Sequence, residues 1–189
     1  MAIRLLVFLQ GTVLMHPDGV RHTRRERVAQ ARNRMHPGLY DFASYVPVDG
    51  AATKLRRWAD RGAEIAYLSS HRDSNHLLED ALALRRWEFP PGRVLGRKRG
   101  ESYGTVVERE LPDVLIEDDC ESLDGRSHIA SEQIRPELRS RIAAIVVPEF
   151  GGIDHLPDKP AELLGFRAKG RRRSSATPAR WSRVLTGRP

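Results

Sequence analysis

Apolar residues along this chain follow two alternating rhythms. Unbroken apolar runs of strand length are separated by stretches in which apolar residues recur every three or four positions. Residues 3–9, Ile-Arg-Leu-Leu-Val-Phe-Leu, predict a buried strand. Residues 51–61 predict a helix with Leu55, Trp58 and Ala59 on one face, Asp49 placed to cap its start and Gly62 to end it. A second strand is expected at 64–68. A second helix follows at 74–87, with Leu77, Leu78, Ala81 and Leu84 inward and Pro90-Pro91 beyond its end. Then come a short strand at 93–96, a helix at 101–111 stopped by Pro112, and strands at 113–116 and 142–147. Regular strand–helix alternation predicts an α/β fold, with a five-stranded parallel sheet covered on both faces and joined by right-handed crossovers.

Two segments stand outside this rhythm. Residues 13–47 form an insertion containing a short helix opened by the capping box Thr23-Arg-Arg-Glu26. Residues 167–189 are rich in Arg, Ser, Gly and Pro with few apolar anchors, and are expected to be disordered or loosely attached. One domain over 1–166 with a basic tail is the resulting organisation.

Composition narrows the class. The apolar fraction is 40% and the apolar runs are strand-length, short of the roughly 20 residues of a membrane span. The N-terminus lacks the order of a signal peptide, and the one cysteine, Cys120, excludes an intrachain disulfide. A cytoplasmic protein without a membrane association is expected. The formal charge is +7, but it is unevenly placed. Eight basic and no acidic residues fall from Arg167 onward. Removing those eight from the 32 Lys and Arg leaves 24 against 25 Asp and Glu, so residues 1–166 carry a net −1. The tail therefore holds the basic character, and with it a nucleic-acid-binding alternative through phosphate contacts. The sequence leaves oligomeric state open.

In a doubly wound sheet, ligands bind at the carboxyl ends of the strands, near the point where strand order reverses. The chemistry-bearing residues fall at those ends. Gln10, Gly11 and Thr12 follow the first strand, Ser69, Ser70, His71 and Arg72 the second, Lys98 the third, and Glu117, Asp118 and Asp119 the fourth. Hydroxyls and backbone N–H groups at strand-to-helix turns suit phosphate oxygens. A lysine neutralises charge on a transferring phosphoryl group, and paired carboxylates suit Mg²⁺. Each type also has a bland role: Asp-Asp can be a solvated turn, Ser-Ser a helix cap, and Lys98 a surface residue between Arg97 and Arg99.

Three of these segments in this order, Leu68-Ser69-Ser70, Lys98 and Ile116-Glu-Asp-Asp119, follow an N-terminal strand that ends in Gly11-Thr12. Together they resemble the haloacid dehalogenase (HAD) superfamily over roughly residues 1–150. Residues 148–155, Pro-Glu-Phe-Gly-Gly-Ile-Asp-His, are similar to small uncharacterised HAD-like proteins. The resemblance implies a Rossmannoid three-layer sandwich with residues 13–47 as a minimal cap. It implies phosphate contact at Gly11, Thr12, Ser69, Ser70 and Arg72, with Ser69 favoured over Ser70. It places Mg²⁺ on Asp118 and Asp119 and a catalytic role on Lys98, while Gln10 and His71 are catalytic candidates by their position at the strand ends.

The family's first motif, Asp-x-Asp-Gly-Thr, departs here to Phe8 and Gln10. Phe8 cannot attack phosphorus, and Gln10 cannot cycle a proton near neutral pH. An aspartyl-phosphate route is thereby excluded. What remains is a divergent protein that binds a phosphorylated small molecule with Mg²⁺ and hydrolyses it by another route, with His16 or His71 as base. The alternative is a catalytically inactive pseudoenzyme that binds a protein or nucleic-acid partner.

Overall fold

Each predicted apolar run becomes a strand of a single parallel sheet. The computed structural model describes residues 2–33, 37–123 and 126–166. In chain order the elements are β1 (Arg4–Phe8), β2 (Leu14–Met15), α1 (Arg24–Arg32), β3 (Val46–Pro47), α2 (Ala51–Asp60), β4 (Glu64–Leu68) and α3 (Ser74–Arg86). They continue with β5 (Val94–Leu95), α4 (Tyr103–Glu110), β6 (Val114–Asp118), α5 (Pro136–Arg139), β7 (Ala143–Val147) and α6 (Pro160–Leu163). The main sheet has the order β5-β4-β1-β6-β7, all parallel, and β2 and β3 form a separate antiparallel pair. The fold is α/β with a Rossmann-like three-layer arrangement.

The central strand explains the layering. Leu5 and Val7 sink into a core with Leu55 and Trp58 of α2 and Ala83 and Leu84 of α3, while Leu6 and Phe8 enter a second core with Tyr103, Val106 and Val107 of α4. From Leu5 onward the strand is covered on both faces and has no position for a polar side chain, hence the apolar run that follows the exposed Arg4. Burial of each such side chain contributes about 1.5–3 kcal/mol. Trp58 is fully buried, with its indole N–H donating to the Pro157 carbonyl (2.9 Å). Truncating it to Ala would cost about 3–5 kcal/mol.

Several expectations are corrected. Asp49 does not cap α2: Gly50 occupies the cap position and its N–H donates to the Asp154 carboxylate (2.9 Å). On α3 Leu78 is 60% exposed, and the inward face carries Asp80, Ala83 and Leu84. Leu84 is buried and Leu77 and Ala81 are half-buried, so Leu78 is the one member of the expected face that turns to solvent. The fourth strand runs on to Asp118, held by pairing of Glu117 and Asp118 with Val146 and Val147. The capping box of α1 forms as expected, with the Thr23 N–H donating to Glu26 Oε2 (2.8 Å). The tail 167–189 lies outside the described residues.

Candidate functional site

Strand order reverses at β1, with β4 and β5 on one side and β6 and β7 on the other. The turn beyond β1 therefore opens at the place where doubly wound folds hold ligands. The chain tightens there: the N–H groups of Val13 and Leu14 both donate to the Leu9 carbonyl (3.0 and 2.9 Å), and Gly11 adopts φ +85°. A Cβ on Gly11 would stand 2.9 Å from Asp118 Oδ2 and 3.1 Å from Glu149 Cγ. Glycine is required both by the left-handed backbone and by two carboxylate side chains closing on it.

On the β4 side lies a cluster centred on Asp80 of α3, which is fully buried. Its carboxylate accepts from Gln10 Nε2 (2.8 Å) and Ser69 Oγ (2.5 Å) and pairs with His71 Nδ1 (3.0 Å). The Gln10 carboxamide oxygen in turn accepts from the Ser70 N–H (2.9 Å), and Ser69 Oγ accepts from the His71 N–H (2.9 Å). Gln10 is thus clamped at both ends. Because a carboxylate only accepts, Nδ1 is the donor of this bond, and in the neutral imidazole Nε2 is then the acceptor.

On the β6 side two carboxylates face the same turn. Asp118 accepts from Thr12 Oγ1 (2.8 Å) and the Cys120 N–H (2.9 Å). Glu149, just beyond β7, accepts from the Ser122 N–H (2.6 Å) and Ser122 Oγ (2.7 Å). Burial pushes the Asp118 carboxyl up to about 6, against the lowering effect of its bonds from Thr12 and Cys120, and Glu117 and Asp119 add to the rise. Burial likewise pushes Glu149 up to about 7, with the charges of Asp118 and Asp119 adding to it. Burial also raises the Cys120 thiol, with the same carboxylates reinforcing it, so Cys120 is no thiolate nucleophile.

Between the two clusters lies a cavity of about 310 Å³, at the small end of small-molecule sites. Of the residues the sequence singled out, Gln10, Gly11, His16, Ser70, His71 and Asp118 line it. Ser69 does not: it is fully buried and engaged with Asp80, so Ser70, rather than the favoured Ser69, faces the cavity. Thr12 is fully buried and committed to Asp118. Lys98 and Arg72 are exposed and outside the lining. Arg97 lies beside this wall, its guanidinium 3.7 Å from the ring centre of cavity-lining Tyr103. Asp119 turns away, accepting from the Glu149 N–H (3.0 Å) and lying 3.9 Å from Arg24 Nη2. Glu117 is buried and caps the N–H groups of Ala130 and Ser131 (2.5 and 3.0 Å).

The arginines of the insertion also find structural work. Arg24 binds Glu121 (2.5 Å) and the Glu149 carbonyl (2.9 Å), and Arg27 binds the Gly19 and Phe150 carbonyls (2.9 and 3.2 Å). They fasten α1 over the loops after β6 and β7.

Among the described residues, no three His, Cys, Asp or Glu side chains converge as an all-protein metal site would require. Mg²⁺ is more often held by one or two carboxylates completed by water and substrate phosphate. Asp118 and Glu149 fit that pattern. Both line the cavity, both flank Gly11, and in both burial and nearby like charge, which a cation would relieve, disfavour the ionised form. Of the acidic residues at this edge, Asp118 and Glu149 line the cavity and Asp119 does not.

Three participants were not singled out from sequence: Asp80, Glu149 and Arg97. Asp80 had a signal, as the one acid in register with Ala83 and Leu84 on a helix face. Glu149 lies at the carboxyl edge two residues beyond the last strand. No protein-family model matches this chain, and no curated protein matches it.

Proposed function

We propose that this chain is a divergent HAD-like protein whose carboxyl-edge cavity binds a phosphorylated small molecule together with Mg²⁺. The observation that carries the proposal is the placement of Asp118 and Glu149 around Gly11 at the switch point, facing the His71–Asp80 pair across one cavity. Two raised carboxylates would repel a phosphate by themselves, so the cation and the phosphate must enter as partners. Asp118 and Glu149 would hold Mg²⁺, which neutralises charge on phosphoryl oxygens. His71 Nε2 is the acceptor for a proton from an attacking water, and Asp80 holds the ring and its Nδ1 proton in place. As the water oxygen bonds to phosphorus, the ester P–O bond breaks, and the proton on Nε2 passes to the departing alkoxide.

A second reading, a non-catalytic binding module, draws on Phe8. Its ring is buried edge-on against Tyr103 (5.0 Å between centres), where the family nucleophile would stand. Phosphate release from a phosphomonoester panel with Mg²⁺ separates the two. Turnover lost in both Asp118→Asn and His71→Gln is the expected result. Mg²⁺-dependent thermal stabilisation by phosphate compounds without turnover would favour the binding module. Neither turnover nor Mg²⁺-dependent stabilisation would overturn the phosphate-and-cation reading itself.

A further inference from the structure

The wall of the cavity has a composition unlike the rest of the molecule. The chain has five Phe and four Tyr. Three of each line this one cavity: Phe8, Phe42, Phe150, Tyr40, Tyr45 and Tyr103. Two of the tyrosines have their hydroxyls tied back to backbone carbonyls, Tyr45 to Leu39 (3.0 Å) and Tyr103 to Ser70 (3.5 Å). What these residues offer a ligand is ring surface, with hydrogen bonding already spent. At the mouth, Tyr40 is 62% exposed and meets Phe42 edge-on, with 6.5 Å between ring centres. Phe42 in turn lies tilted at 44° against His71, with 3.9 Å between ring centres. An aromatic ladder therefore runs from solvent to the imidazole of the Asp80 cluster.

We propose that the ligand of this cavity carries a planar heteroaromatic ring of nucleobase size, so that the phosphorylated ligand is a nucleoside monophosphate. The proposal rests on the phosphate-and-cation reading for its phosphate, and on the aromatic wall alone for its ring. A sugar phosphate alone would leave the rings of this wall without a flat partner. A bare hydrocarbon ring would leave the polar positions Ser70 and His128 on the wall facing apolar atoms. A base has both a face to stack on the rings and polar edges for those positions. The cavity volume suits one such ligand and not an oligonucleotide.

Titration calorimetry of the full chain in Mg²⁺ buffer tests this. The probes are the four common ribonucleoside monophosphates, their nucleosides, ribose 5-phosphate and inorganic phosphate. At least one nucleotide should bind on the order of tenfold more tightly than ribose 5-phosphate, the gain that base stacking on aromatic side chains supplies. Tyr40→Ala should remove most of that preference and Tyr40→Phe should keep it. Phe42→Leu, which keeps the bulk and removes the ring, should weaken it as a second check. Ribose 5-phosphate binding as tightly as every nucleotide would overturn the proposal. So would a preference unchanged in both Tyr40→Ala and Phe42→Leu, or no binding by any probe. A nucleoside that binds as tightly as its monophosphate, with no effect of Mg²⁺, would uphold the ring while overturning the phosphate reading.

Discussion

The two carboxylate clusters beside β1 solve the same problem in opposite ways. Asp80, on the β4 side, is enclosed and surrounded by donors: a carboxamide, a hydroxyl and an imidazole. Asp118 and Glu149, on the β6 side, are also buried, but their donors come from a hydroxyl, two backbone N–H groups and Ser122, and their charges oppose one another. The first cluster is internally balanced and holds side chains in place. The second has donors for its oxygens, but burial and neighbouring like charge disfavour its ionised form. A buried group whose charge is balanced is read as architecture, and one whose ionised form is disfavoured is read as a candidate binding site.

The largest expected effect breaks the balanced side. Asp80→Ala leaves Gln10 and Ser69 without their acceptor in a buried setting, and should cost about 3–5 kcal/mol in urea denaturation, as removing one partner of a buried polar network does. A loss under 1 kcal/mol would show that the cluster is not an organising element.

The next effect sharpens the unbalanced side through pH. Asp118 and Glu149 have folded-state values above their ordinary ones, about 6 against 3.8 and about 7 against 4.5. Between those limits the native state binds more protons than the unfolded chain. Their contribution is therefore fully present below about pH 4 and is lost as pH rises through 6 to 7. Asp118→Asn removes one titration, so without divalent cation its stability relative to the native protein should rise between pH 4.5 and 8 by on the order of 2–3 kcal/mol. Parallel pH profiles for the two proteins would refute this assignment.

Smaller effects follow. Ser69→Ala removes the hydroxyl that donates to Asp80 and accepts from the His71 N–H, and should cost about 1–2 kcal/mol in the same denaturation series. Because Ser69 does not line the cavity, ligand affinity should change less than in Ser70→Ala, measured by calorimetry. Lys98→Ala should shift stability by less than about 0.5 kcal/mol, since its side chain is exposed. It should also leave phosphate-compound binding unchanged. A tenfold loss of affinity in this variant would return Lys98 to the site.

Much of the frame was legible because its signals are local. The strand at 64–68 forms over the expected residues, and α2 ends at Asp60, two residues before Gly62, whose φ of +84° only glycine adopts readily. The capping box of α1 is a four-residue event, and it too forms. The site was legible only in outline. Strand ends named the right edge, so Gln10, Gly11, Ser70, His71 and Asp118 meet in one cavity. Neighbouring residues were assigned less well. Ser69 and Ser70, or Asp118 and Asp119, differ by one position, and one position along an extended chain turns a side chain to the opposite side. Sequence names the pair, and pleat and pairing choose the member.

By itself the sequence determined the alternation of apolar runs and helical stripes, hence a parallel sheet with two covered faces. It also determined that no carboxylate stands at positions 8 and 10. Only the tertiary structure decided what replaced that chemistry. Asp80 reaches Gln10 across 70 residues and Glu149 closes on Gly11 across more than a hundred, through strand order and not sequence proximity. Local propensity acts over a few residues. A buried charge finds its partners, or fails to, only when the sheet has brought distant turns to one edge.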